Sequence, residues 1–540
     1  MKAVIIKHKI ILLSFLIPFI YLLPVLNSPL SSDDISNFNL RVSQEDYYAK
    51  SIFEIAESDI TLFKNAGRFT PLSFYLEEAV FKYFQTINQY KTFLYCINLF
   101  SIFTFALLLY LLELKRIIPL FFICYAGQVQ FRLQYHDSFT GFNGMYIILS
   151  ICIFLSTSFY ILYLKESKVY LLFVSLFLAI ASILLSETGL FVIPFLTCSA
   201  LFANVSKKKV IVSLAPFFVS ALTYVVYVLA IRAHVKVFYP GVETNFVVSP
   251  MMDVLWKQLF AALPFSNLYH HTAIPKIMWA ELSSISHLII VFCLFFLFLF
   301  IFMETKKGIE SNKVSWYLPA LLLGLVLMVV PVVFIMPSIK YQQTLLYGFG
   351  YLPVYLQNYG TALLISLLMR LVISKKNNFI MVTLSYSLFL TIYISSASAF
   401  LFNRGISKVL AYEQSLRAQA IFASVEHGIL SCCPEGSVII VINNAIWRDP
   451  EVSQKIFQNI TGKKFSVYDY GNWKASEIKP EEQSCYILDC QNGDTIFTKL
   501  YSADCSSETM LNLLAEDSFV HDIRLCEVER PLLTHFTKTP

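Results

Sequence analysis

Long apolar runs alternate with short polar interruptions along this chain, a rhythm that reads as helices threaded repeatedly through a bilayer. A helix needs about 20 apolar residues to cross roughly 30 Å of hydrocarbon. Runs of that kind lie near 9–27, 92–112, 117–131, 144–164, 169–185, 188–204, 210–231, 286–303, 316–336, 350–372 and 379–401. The pattern predicts an α-helical polytopic membrane protein with about 11 transmembrane helices over residues 1–401. The first run is long, lacks a small-residue cleavage site and leads into further spans, so it reads as a retained helix and not a cleaved signal.

Two interruptions are long. Residues 28–91 contain "EDYYAKSIFEIAESDITLF" and, after the breaker "NAGRFTP", "LSFYLEEAVFKYF". In the latter Leu72, Tyr75, Leu76, Ala79, Val80 and Tyr83 recur at helical spacing, as in a helix lying in the bilayer interface. Residues 232–285 form the second, with Trp256 and Trp279 as interfacial anchors. Beyond 401 the rhythm changes. A polar helix, "SKVLAYEQSLRAQAIFASVEHGIL", precedes the strand-like "GSVIIVINN" and "SCYILDC", which predicts a small α/β domain over 402–540.

The basic residues orient the spans. Numbering the loops alternately puts Lys2, Lys7 and Lys9, Lys115 and Arg116, Lys165 and Lys168, Lys207, Lys208 and Lys209, Lys306, Lys307 and Lys313, and Lys375 and Lys376 in one set. The short loops of the other set hold little beyond Arg132 and Lys340. Basic loops stay in the cytoplasm, so the N-terminus is expected there and the C-terminal domain on the opposite, extracytoplasmic side.

Composition sharpens this without redirecting it. Of 540 residues, 57% are hydrophobic and only 14% charged, where soluble domains carry about 25%. The net charge of +5 gives no reason to expect nucleic acid. High Phe, Ile, Lys and Asn usage points to a bacterial inner membrane, with the external face periplasmic. Cys96, Cys124, Cys152, Cys198 and Cys293 fall in apolar runs and read as small hydrophobes. Cys432, Cys433, Cys485, Cys490, Cys505 and Cys526 fall in the tail, where disulfides are permitted; pairing and free thiols both stand open.

Topology then selects the chemistry. Ionisable residues at span ends mark polar cavities. The external set brings together Asp33 and Asp34 of "SSDD", Arg132, His136 and Asp137 of "RLQYHDS", Glu187 of "SETG", Lys340 and Tyr341 of "MPSIKYQQ", and Arg404. Each has a plain structural alternative: a solvated turn for the acid pair, a helix-end pair for His136 and Asp137, backbone N–H bonds at a helix start for Glu187, snorkelling for Lys340. His270 and His271 read as loop surface, since adjacent histidines do not easily share one ion.

This arrangement resembles the GT-C superfamily of integral-membrane glycosyltransferases, which take a sugar from a polyprenyl-phosphate carrier. The resembling features are the N-in first span, "SSDD" opening a long external loop, interfacial helices around "GRFTPL", many further spans and an external C-terminal domain. "DD" followed by "GRFTPL" is also similar to the bacterial O-antigen glucosyltransferase branch, whose products belong to lipopolysaccharide. The resemblance implies Asp33 or Asp34 as the base taking the acceptor's proton, with a lean to Asp34, the other binding acceptor hydroxyls or, in some relatives, a divalent ion. It implies cations on the leaving phosphate: Arg68 first, then Arg132, Lys340 and Arg404. His136, Asp137, Glu187 and Tyr341 are candidate substrate contacts, and Tyr135, Tyr341 and Tyr351 could stack on sugars. A monophosphate donor does not demand a metal, so neither metal nor cofactor is expected. The partners implied are the lipid-linked donor, a glycan, lipid or protein acceptor, and membrane lipids. A flippase or transporter of lipid-linked glycan, which predicts charges buried mid-span, is the main alternative. A glycan polymerase or ligase and a membrane-anchored receptor complete the rivals.

Overall fold

The computed structural model describes residues 9–31, 33–35, 37–38, 50–132, 137–203, 205–269, 274–307, 317–374, 379–426, 430, 433–442, 450–469, 485–492 and 496–503. Tyr135, His136, His270, His271, Cys432, Cys505 and Cys526 lie outside the described residues. The chain divides into two compact units, Met1–Ser32 with Ser51–Lys408, and Asp33–Lys50 with Val409–Pro540.

The first unit is helical. Among the described residues seven helices are long and apolar enough to cross a membrane: α1 (Lys9–Asn27), α4 (Ile87–Leu111), α6 (Phe142–Glu166), α9 (Lys207–Arg232), α12 (Ile285–Lys307), α15 (Val354–Ser374) and α16 (Phe379–Glu426, apolar to Ala411). Four further apolar runs are shorter helices: α5 (Ile118–Ala126), α7 (Val169–Leu185), α8 (Val192–Ala200) and α13 (Tyr317–Val333). Each of the eleven predicted runs thus meets a helix, and seven meet the length of a full crossing. The last run and the polar helix read after it are one 48-residue helix, because no proline or glycine pair stops it at residue 401.

The long loops fold as amphipathic pieces. The first contains α2 (Ile52–Asn65), begun by a Ser51–Glu54 capping box, and α3 (Pro71–Tyr83), which has proline at its start. The second contains α10 (Val248–Ala261) and α11 (Ile274–Leu282), and α14 (Ile339–Thr344) follows α13. Trp256 and Trp279 are exposed on α10 and α11, as membrane anchors would be. α13 and α15 touch backbone to backbone: a Cβ on Gly360 would meet the Gly324 carbonyl at 2.7 Å. That close approach fixes the chain segment between them, residues 334–353.

The second unit carries a four-stranded sheet, β1 (Val438–Ile442), β2 (Ser466–Asp469), β3 (Cys485–Asn492) and β4 (Ile496–Ala503), in the order β2-β1-β3-β4. β1 is parallel to β2 and β3, β4 is antiparallel to β3, and helix α17 (Pro450–Thr461) connects β1 to β2. "GSVIIVINN" and "SCYILDC" contain β1 and β3. Cys485 and Cys490 sit on one extended strand, about 16 Å apart at some 3.3 Å per residue, beyond the reach of a shared disulfide.

Candidate functional site

The first unit holds a cavity of about 250 Å³ lined by the turn after α2, the start of α6, the α7–α8 junction, the last turns of α9 and the segments around 239–244 and 334–352. Its construction starts at Gly67. α2 ends by passing Gly67 through a left-handed conformation (φ +85°), with Gly67 N–H bonding Lys64 O at 3.0 Å and Arg68 N–H bonding Phe63 O at 2.9 Å. The turn's carbonyls are then tied down from α9 and beyond. Tyr224 donates its hydroxyl to Phe69 O (2.8 Å), Arg232 its Nε–H to Gly67 O (3.0 Å) and Tyr239 its N–H to Ala66 O (2.9 Å).

This aims Arg68 into the cavity. Its Nε stands 3.6 Å from Glu187 Oε1, an ion pair without a hydrogen bond, and its guanidinium lies 5.6 Å from the Tyr239 ring. Lys340 Nζ lies 5.6 Å from the same ring and 5.9 Å from that of Tyr341. Burial pulls the Arg68 pKa down, but Glu187 and the surrounding tyrosines outweigh it, so the guanidinium is held above its ordinary value. Burial pushes the Tyr341 and Tyr351 hydroxyls up, so both stay protonated.

The opposite wall is a clip between distant segments. Thr244 and Ser338 form an antiparallel bridge flanked by Asn245 N–H to Pro337 O (2.7 Å) and Ile339 N–H to Glu243 O (3.0 Å). It sets α14 so that Tyr341 stacks near Tyr351 at 4.3 Å, while Gln258 of α10 accepts the Tyr351 N–H at 2.9 Å.

Sequence reasoning expected Glu187 to accept backbone N–H bonds, and the structure gives that role to Ser186, whose hydroxyl accepts from Thr188 N–H at 3.3 Å. Among the described residues Glu187 Oε1 and Ser338 Oγ are buried without a hydrogen-bond partner, and both residues line the cavity. Two lining cations, Arg68 and Arg232, face one carboxylate, and Lys340 stands beside the rings of the lining residues Tyr239 and Tyr341. With one positive charge in surplus among its lining residues and walls of tyrosine and aliphatic side chains, the cavity suits an anion attached to a bulkier, partly apolar molecule.

The structure therefore brings together Arg68, Glu187, Lys340 and Tyr341, and leaves three other candidates elsewhere. Arg132 is buried with its guanidinium spent on the carbonyls of Gln130 (3.1 Å) and Ala261 (2.7 Å), and burial lowers its pKa to about 10 despite Asp137. Asp137 accepts from Phe139 N–H and the Thr140 hydroxyl, both at 2.9 Å, and so shapes its own loop. Arg404 pairs with Glu281 at 3.6 Å. In the second unit Asp33 is exposed and Asp34 buried, both within a short helical stretch. Arg232 and Tyr239 were missed. Arg232 ends a predicted external span, and that position was the available signal. Among the described residues no three His, Cys, Asp or Glu side chains gather as a metal-binding group.

No family model matches this chain, and no curated protein matches it. Among solved structures it is similar to the crystal structure of ArnT from Cupriavidus metallidurans bound to undecaprenyl phosphate, at 8% sequence identity, with 95% of this chain and 94% of that chain covered and a TM-score of 0.41. A likeness that loose carries no argument about chemistry.

Proposed function

We propose that this chain is a membrane glycosyltransferase of the GT-C kind. It transfers a sugar from a polyprenyl-phosphate donor to an envelope glycan, lipid or protein acceptor on the noncytoplasmic face. The observation that carries the reading is the cavity's cation surplus: among the described residues the terminal nitrogens of the lining residues Arg68 and Arg232 have no hydrogen-bonded partner, and the Lys340 ammonium lies beside the lining rings of Tyr239 and Tyr341. In this reading the acceptor oxygen attacks the anomeric carbon, and the bond from that carbon to the phosphate oxygen breaks. Its electron pair leaves with the polyprenyl phosphate, and the configuration inverts. Arg68 and Arg232, with Lys340 close by, stabilise the second charge that develops on the phosphate. Asp34 takes the proton of the acceptor hydroxyl, Asp33 holds acceptor hydroxyls, and Glu187 accepts from a hydroxyl of the sugar.

One further observation favours this reading over a flippase. Lys, Arg, Asp and Glu residues described within the seven long helices sit near the ends of the apolar stretches, as Lys91, Arg232, Glu304 and Arg370 do, with none at mid-span.

The test is gene deletion followed by complementation at matched membrane levels, with envelope glycans read by mass spectrometry. Deletion should remove one sugar, Asp34→Asn and Arg68→Gln should fail to restore it, and Asp33→Asn should restore it in part. In nanodiscs, Arg68→Gln should weaken undecaprenyl-phosphate binding about 10- to 100-fold, as loss of a charge-assisted contact does. Full restoration by the Asp33→Asn, Asp34→Asn double variant would sink the assignment of the base. Unchanged lipid binding by Arg68→Gln would sink the assignment of the cavity.

A further inference from the structure

Away from the cavity, one carboxylate is held by three basic side chains. Glu281, near the end of α11, is buried and pairs with Lys408 Nζ (2.7 Å), His287 Nδ1 (2.9 Å) and Arg404 Nε (3.6 Å). His287 Nδ1 also lies 3.0 Å from the Glu281 backbone carbonyl, which holds the ring in place at the start of α12. Lys408 spans both carboxylate oxygens, so Glu281 is saturated by it and His287. Among the described residues Arg404 makes no hydrogen bond, and its side chain is a third exposed. α11 and α16 meet closely here, since a Cβ on Gly405 would strike Ile277 Cγ2. Arg404 and Lys408, two cationic side chains, stand against one carboxylate, leaving one positive charge.

The depth of this cluster in the bilayer follows from the length of α16. Arg404 is 25 residues from Phe379, the first residue of α16, or about 37 Å along the axis. That exceeds the roughly 30 Å of hydrocarbon and falls inside the roughly 40–45 Å that includes headgroups. Beside it Trp279, Ile285, Leu288 and Ile289 are exposed, an apolar rim with an interfacial tryptophan.

We propose that Arg404 and Lys408 bind the phosphate of an anionic phospholipid whose acyl chains run down the exposed face of α12. A phosphodiester such as that of phosphatidylglycerol carries one negative charge and balances the surplus. Arg404 supplies the bidentate fork, and Lys408 contributes while remaining bound to Glu281. The proposal rests on the chain's being embedded in a membrane and is independent of the transferase reading.

The full-length protein in neutral detergent is titrated with phosphatidylglycerol, phosphatidylcholine or inorganic phosphate. Retained lipid is counted by native mass spectrometry and thermal unfolding is recorded. Phosphatidylglycerol should be retained at least fivefold more than phosphatidylcholine and should raise the unfolding temperature. Arg404→Gln, which keeps the Lys408–Glu281 pair and so the fold, should remove at least that fivefold preference. Arg68→Gln, in the cavity, should leave it intact, so failure here and failure of the cavity assignment read out separately. Equal retention of both lipids, an unaltered preference in Arg404→Gln, or a matching thermal shift from inorganic phosphate alone would each overturn the proposal.

Discussion

Arg68 and Arg132 are the same side chain, each in a turn beyond a helix, and their partners separate them. Arg132 finds the carbonyls of Gln130 and Ala261, the latter 129 residues away, and becomes a buried brace. Arg68 finds a carboxylate at 3.6 Å and a tyrosine face, and keeps its donors open. The GRFTPL turn nominated Arg68 and a span-end position nominated Arg132, both legible in the sequence; distant backbone acceptors, invisible there, decided between them. Asp137 gives the matching test among the acids. Burial pushes its carboxyl pKa up, opposed by the Phe139 amide, Arg132 and the Thr140 hydroxyl. A raised folded pKa contributes stability that is fully present below the unfolded value and is lost as pH rises through the folded one. Replacing Asp137 with Asn should therefore look more favourable, relative to the native chain, at about pH 7.5 than at about pH 4.5. At the higher pH, Asp137→Asn should stay within about 1 kcal/mol of the native chain, whereas Asp137→Ala should lose about 1–3 kcal/mol by orphaning two donors. Thermal unfolding at the two pH values checks both the sign and the ordering. A gap between native and Asn proteins that does not move with pH would contradict the assigned shift.

At the scale of elements, the turn "GRFTP" was legible and the clip across from it was not. Glycine followed by a proline-started helix signals a helix stop, a left-handed residue and a restart, and α2, Gly67 and α3 follow that order. The Thr244–Ser338 bridge joins segments with no strand-like periodicity that lie far apart in the chain. Breaking each kind of contact should give different outcomes. A methyl on Gly67 meets Phe238 Cδ1 at 3.0 Å and holds alanine at φ +85°, a conformation that costs an L-residue about 1–2 kcal/mol. Gly67→Ala should thus reorient Arg68 and weaken undecaprenyl-phosphate binding about tenfold, the equivalent of about 1.4 kcal/mol, while the protein stays folded. Gly360→Leu forces backbones apart inside the α13–α15 contact, and an overpacked core of that sort costs roughly 1–3 kcal/mol or more. It should lower the unfolding temperature well before binding is considered. If Gly67→Ala melts like Gly360→Leu, the turn is part of the stable framework and not a local device for aiming one arginine.

For the whole molecule, the alternation of loops has a geometric counterpart. Every segment lining the cavity comes from a loop or span end that the basic-residue count places outside. The basic loops meet one another at the other end of the bundle. Lys165 Nζ bonds Leu111 O at 2.7 Å, Lys209 Nζ bonds Leu164 O at 2.7 Å and Ser167 Oγ at 2.8 Å, and Lys306 Nζ bonds Tyr386 OH at 3.3 Å. A parity error in the span count would mix the two groups, and the helices keep them apart even where α5, α7 and α8 are too short to have been read with certainty from hydropathy. The preference of basic loops for the cytoplasm predicts the direction, with the cavity outside. Single cysteines test this in a background with the native thiols replaced, beginning with the exposed Cys96 and Cys293. Gln343→Cys, exposed on α14 beside the cavity, should react with a membrane-impermeant maleimide in intact cells or right-side-out vesicles. Lys208→Cys, exposed in the first turn of α9, should react only after permeabilisation. The reverse result would place Arg68, Arg232 and Lys340 in the cytoplasm, where donor chemistry on the far face of the membrane has no site. Labelling of both positions from one side would mean that the helices between them do not cross as counted.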